Sequence, residues 1–224
     1  MVDLGFDNPG DPVPDSAELS EDQLLSRTYL RLLEGVRPGP DWWRYALETV
    51  PGTLEVVVFD YPELVTILND EQVAWYGHER LCAAGLANLA REEPDVELIG
   101  AVHCLTGSVH TASTALVLPD MIARACGETE FPDGVLVSMP ERTVLLYHVL
   151  RDESVHDAIQ AMAAMTVGAF DDGHKPVSRH LYWWDRGRFT SITSFEPDGT
   201  VNVHIDGGFA DVFERVCDVP VGRG

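Results

Sequence analysis

A chain of 224 residues, 45% hydrophobic and 23% charged, can bury roughly 70% of its unfolded surface, so it needs no metal or disulfide to hold it together. Its net charge of −22 argues against direct binding to nucleic acid or an anionic membrane, since phosphate contact depends on Lys and Arg. The same charge favours fast encounter with basic partners, although it also serves plain solubility.

Residues 1–19 carry Pro9, Pro12 and Pro14 among acids, with no basic residue before Arg27, and read as a disordered acidic arm. The start lacks the basic and apolar regions of a secretory signal, and no apolar run reaches the roughly eighteen residues of a membrane span, so a cytoplasmic location is expected. Ser20 and Gln23 form a capping box for a helix whose stripe runs through Leu25, Tyr29 and Leu32 or Leu33 to a stop at Gly35. Trp42 and Trp43 follow in a turn as core anchors. "TLEVVVFD" (53–60) is a buried strand, and "YPELVTILND" is ambiguous.

"EQVAWYGHERLCAAGLANLAREE" is expected as one helix, with Leu81, Cys82, Gly85, Leu86 and Leu89 on one face, and "VELIGAVHC" as a strand. "TASTALVLPDMIARACG" is helical, with Pro119 either kinking it or starting a second helix, and Gly127 closing it. "GVLVSMP" and "TVLLYHVL" are strands joined by a turn around Pro140, Glu141 and Arg142. A helix from Ser154 to about Phe170 follows, ending at "DDGHKP" with Gly173 in a left-handed conformation. "SRHLYWW", "RFTSITSF" and "TVNVHI" finish the chain as strands linked by the turns "DRG" and "PDG". This pattern predicts an α+β fold: a mixed, largely antiparallel sheet covered by helices, in one domain spanning 20–224.

Ser154, His156 and Asp157 crowd together as a nucleophile, base and orienter would. Positions i and i+2 of a helix point roughly 200° apart, however, so Ser154 and His156 diverge. Ser154 with Asp157 is instead expected to be a capping box, above the inward stripe Val155, Ile159, Met162 and Met165.

Several segments together resemble the YtpQ-like family of uncharacterised bacterial proteins. They are Asn88 and Leu89; Ala112 and Ser113; Gly134, Ser138, Pro140, Leu145, Arg151, Glu153 and Ser154; then Phe170, Gly173, Pro176, Ser178, Leu181, Tyr182 and Gly187. The likeness is strongest across 69–190 and is absent from the first fifty residues, the "YWWD" extension and the tail. It implies an intracellular α+β fold and carries no reaction with it.

The candidate chemistry is sparse. His78 and Cys82 are spaced as half a zinc site, but no ligand spacing joins them to His103, Cys104, His110 or Cys126, so neither a metal nor any other cofactor is expected. Cys82, Cys104, Cys126 and Cys217 read as reduced, buried thiols, and the single lysine, Lys175, leaves little room for Schiff-base chemistry. In "SRHLYWWD", alternation sets His180, Tyr182 and Trp184 against Arg179, Leu181 and Trp183. If one face is exposed, Arg179, His180, Tyr182, Trp184 and Arg186 would form a partner-binding surface rich in hot-spot residue types. Arg142, His148, Arg151 and Glu153 suggest a polar pocket.

The leading expectation is a non-enzymatic protein-interaction module that meets a basic partner through this aromatic face. A hydrolase or small-ligand enzyme assembled from His110, His148, His180 and the acids near Arg151 is the alternative, and self-association through a strand edge is a third.

Overall fold

The structure, a computed structural model, describes residues 20–35, 43–61, 64–173 and 175–217. The expected arm at 1–19, together with Trp42 and His174, lies outside these residues. The fold is α+β, with antiparallel sheets, as expected.

Helix α1 (Glu21–Ser26) begins with the capping box of Ser20 and Gln23 but lasts only six residues. The expected stripe then turns into strand β1 (Thr28–Glu34), because Thr28, Leu30 and Leu32 alternate into the core and the strand pairs along its whole length with β2 (Thr53–Tyr61). The Thr28 hydroxyl donates to the Leu24 carbonyl and closes the helix. Strand β3 (Leu64–Ile67) completes a three-stranded sheet in the order β1-β2-β3.

The expected single helix is two, α2 (Asp70–Tyr76) and α3 (His78–Leu89), divided at Gly77, whose φ of 88° breaks the helical path. Helix α3 lies against β1. Leu81, Gly85 and Leu89 of the expected face are buried, whereas Cys82 is half-buried and Leu86 is exposed. The segment read as one strand at 96–104 is a hairpin, β4 (Asp95–Ile99) and β5 (Val102–Thr106), turning at Gly100. A 3-10 segment, Thr111–Val117, leads into α4 (Leu118–Cys126), where Pro119 occupies the first turn and Gly127 terminates the helix at φ 78°.

Strands β6 (Val135–Ser138) and β7 (Val144–Val149) pair as expected. Helix α5 (Val155–Asp172) starts where expected, but Ser154 makes no side-chain cap; instead the Asp152 carboxylate accepts from the Ser154 amide at 2.9 Å. Nor is Gly173 left-handed. Its φ is −70°, and glycine is required there because a Cβ would lie 2.7 Å from the Ala169 carbonyl and 2.9 Å from Glu141 Oε2.

Strand β8 (Leu181–Asp185) turns tightly into β9 (Arg188–Ser191) at Arg186 and Gly187, both at positive φ, as a two-residue hairpin requires. The expected strand "RFTSITSF" divides at Ile192, so that β10 (Thr193–Phe195) pairs separately with β11 (Val201–Val203). The C-terminal hairpin strands are followed by a further helix, α6 (Gly207–Cys217), which the expected pattern lacks.

The larger sheet has the order β4-β5-β7-β6-β8-β9. One of its faces, including Leu105, Val137, Tyr147, Tyr182 and Trp184, shares a core with the three-stranded sheet, α3 and α4. The other face, including Leu136, Leu146 and Leu181, packs against α5 and α6. Strand β6 is buried on both sides and is accordingly an unbroken apolar run up to Ser138.

Candidate functional site

The alternation expected in β8 is present, but neither face is free. Tyr182 is completely buried, and its hydroxyl lies 2.7 Å from both Ser178 Oγ and the Pro51 carbonyl; Trp184 is also buried, edge-on to Phe131. On the opposite face Leu181 is buried and Trp183 packs against Phe209 of α6. The expected partner-binding set is therefore corrected: Tyr182 and Trp184 are core residues and cannot meet a partner. His180 is half-buried with Nδ1 at 3.1 Å from the Thr193 carbonyl, and Arg179 covers the rings of Phe195 and Phe170. Arg179 is exposed as well, and Arg186 stands farthest out, beside a groove of about 450 Å³ lined by Trp183, Asp185, Arg188, Thr190 and Gly208.

The expected polar pocket is also taken apart. Arg142 precedes β7 while His148, Arg151 and Glu153 lie at or beyond its other end, six residues from Arg142 to His148 spanning roughly 20 Å of extended chain. His148 is held by Nδ1 at 2.7 Å from the Ala101 carbonyl, and Arg151 pairs with Glu128 at 2.5 Å. Glu153 lies close enough to Cys217 to help burial raise that thiol's pKa. The three histidines of the enzyme alternative each have a different attachment, His110 bonding Asp60 at 2.9 Å. His156 meets the edge of Phe213, so the Ser154 cluster forms no triad. Among the described residues no group of three His, Cys, Asp or Glu converges as metal ligands; His78 faces the Tyr45 ring, and Cys126 is exposed rather than buried.

Burial is the first cause lowering the pKa of His103, His110, His148 and His180; for His110 the Asp60 hydrogen bond opposes it and Arg31 reinforces it. A base whose pKa is depressed in the folded state gains protons on unfolding. Its contribution to stability is complete above the unfolded value near 6.5 and is lost as pH falls from there toward the folded values. The urea midpoint is therefore expected to drop between pH 7.5 and 5.5, and His148→Gln to flatten part of that slope. Asp152 and Asp198, held low by hydrogen bonds from Ser154 and Thr200, act in the same direction only below about pH 4.

Apart from Trp75 of α2, which is 85% exposed, the most exposed large apolar side chains in regular structure cluster in one strand. All five residues of β4 are exposed, and Val96, Leu98 and Ile99 keep 44%, 61% and 40% of their surfaces accessible. Among the described residues strand β4 is an edge that pairs only with β5, leaving alternate backbone amides and carbonyls on its outer side without described strand partners. Asp95 and Glu97 punctuate the apolar residues, and Glu92 and Glu93 precede them. What marks this strand in the sequence is an apolar–acidic alternation just before a glycine turn, a signal hidden when 96–104 is taken as one element.

Three of the residues on which the expected family resemblance rested are joints of the fold. Asn88 donates to the carbonyls of Leu25 and Thr28, Ser113 Oγ accepts from the Leu32 amide, and Ser138 bonds Thr166 at 2.7 Å. No family model, curated protein or solved structure matches this chain.

Proposed function

We propose that this protein is a cytoplasmic protein-interaction module that takes an extended, basic segment of a partner onto the free edge of β4. The observation that carries the reading is a five-residue edge strand in which every residue is exposed, among them Val96, Leu98 and Ile99. Strand addition would satisfy its outward backbone groups, while alternate side chains of the incoming segment cover the apolar residues. The charge of the site selects the occupant: Asp95, Glu97, Glu92 and Glu93, on a chain of net charge −22, attract Lys and Arg. They also oppose a second copy, since antiparallel self-pairing centred on Glu97 sets that carboxylate against its own image. The YtpQ-like resemblance belongs to the same proposal, and what supports it is the order and spacing of the matching residues.

The test is selection from a random peptide library on the full chain, followed by backbone-amide NMR of the complex. Selected peptides are expected to alternate apolar residues with Lys or Arg and to shift the amides of β4. Leu98→Lys should weaken them about tenfold or more while changing stability by less than about 0.5 kcal/mol, because the site is exposed. Peptides without basic residues, shifts confined to other strands, or no selected peptide would each sink the reading. A dimer seen by sedimentation and dissolved by Leu98→Lys would assign the edge to a second copy instead.

A further inference from the structure

The outer face of the three-stranded sheet holds a buried guanidinium whose side edge makes no hydrogen bond among the described residues, with Asp60 as its nearby opposite charge. Arg31 sits in the middle of β1 and is only 6% exposed, yet its Nε and Nη2 have no hydrogen-bond partner among the described residues. A guanidinium taken out of water in this way is costly unless it meets an anion. These two atoms are not an arbitrary pair. They form the side edge of the guanidinium, where two parallel N–H bonds match the two oxygens of a carboxylate or phosphate.

The surroundings point the same way. Burial first, then the charge of half-buried Arg142, push the Arg31 pKa down to about 10 against the opposing pull of Asp60, which still leaves Arg31 protonated at neutral pH. Arg142 is fixed there by its backbone, its carbonyl accepting from Ala112 and its amide donating to the Lys175 carbonyl. The neighbouring carboxylates are otherwise engaged. Asp60 is bonded to His110, whose ring stacks on Tyr29 at 4.0 Å, and Glu141 accepts from the Thr143 hydroxyl at 2.7 Å. Asp60 is one-third exposed and Arg142 half-buried, so the charged cluster reaches the surface beside the sealed edge of Arg31.

We propose that Arg31 and Arg142 form a binding site for a small oxyanion, a carboxylate or phosphate group chelated by the side edge of Arg31 and approached from the Arg142 side. This site is separate from the β4 edge and does not depend on its occupant.

The experiment is calorimetric titration of the full chain with succinate and with inorganic phosphate, at constant ionic strength set by chloride, together with melting curves. One of the two anions is expected to bind with one-to-one saturation and to raise the melting temperature, and which one does so distinguishes carboxylate from phosphate. Arg31→Met keeps the shape while removing the buried charge, so it should fold at least as stably as the parent and lose the anion by about tenfold or more. Arg142→Gln, at a half-buried position, should weaken binding several-fold and leave folding intact. Leu98→Lys should leave anion binding unchanged. Failure of both anions to bind, or binding that survives in both arginine variants, would overturn the proposal. An Arg31→Met protein that fails to fold, with an Arg142→Gln protein that binds normally, would overturn it equally, since Arg31 would then be a structural residue.

Discussion

Tyr182→Ala is expected to destabilise the protein by about 3–5 kcal/mol, seen as a lower urea midpoint at constant slope. The side chain is completely buried, and its removal leaves a cavity between the six-stranded sheet and the segment entering β2. Tyr182→Phe isolates the hydroxyl, which bridges Ser178 and the Pro51 carbonyl, and should cost about 1–2 kcal/mol because the buried Ser178 and the half-buried Pro51 each lose a bond. A folded Tyr182→Ala protein of unchanged stability would mean that this ring is exposed and would restore β8 as a docking face.

Gly134→Ala is expected to cost about 3 kcal/mol, from two independent sources. The residue has φ 83°, where an added Cβ alone costs about 1–2 kcal/mol. That Cβ would also lie 2.5 Å from both the Trp184 carbonyl oxygen and Trp183 Nε1, so strand β8 or its indole must move, at about 1–3 kcal/mol. The indole is not free to do so without loss, since Nε1 donates to the Asp133 carbonyl at 3.1 Å. Gly187→Ala is the control: it has a similar φ of 84° but no atom near the new methyl, and it should show the conformational part alone. Equal losses at the two positions, in matched denaturation curves, would remove the close approach of β8 as a factor.

Local chemistry was legible at several caps and turns, though not at Ser154, Gly173 or the breaks at Gly77 and Gly100. The Ser20 capping box, the Arg186–Gly187 turn and the β6–β7 pair follow from residue types a few positions apart. Where an element depends on something distant, the local pattern misleads. Leu25, Tyr29 and Leu32 fit a helical stripe, yet Thr28–Glu34 also alternates, and pairing with β2 decides between them. The aromatic content of β8 suggested a hot spot, but composition does not say which face another element covers. The covering element left its own trace in Phe209, Val212, Phe213 and Cys217, a helical stripe in "GGFADVFERVC". Arg31 shows the same limit: a lone arginine in "YLRLLE" reads as surface, and only the closed face of the small sheet reveals it as buried.

The strand order of the larger sheet also sets a timetable for synthesis. Strand β5 lies between β4 and β7, so its inner edge stays unpaired until β7 has left the ribosome, roughly 40 residues later. At about 5–20 residues per second the nascent chain exposes that edge for roughly 2–8 s, with β4 already occupying the other side. During this interval the segment from the 3-10 turn through α4 has emerged and can cover the apolar face of the hairpin.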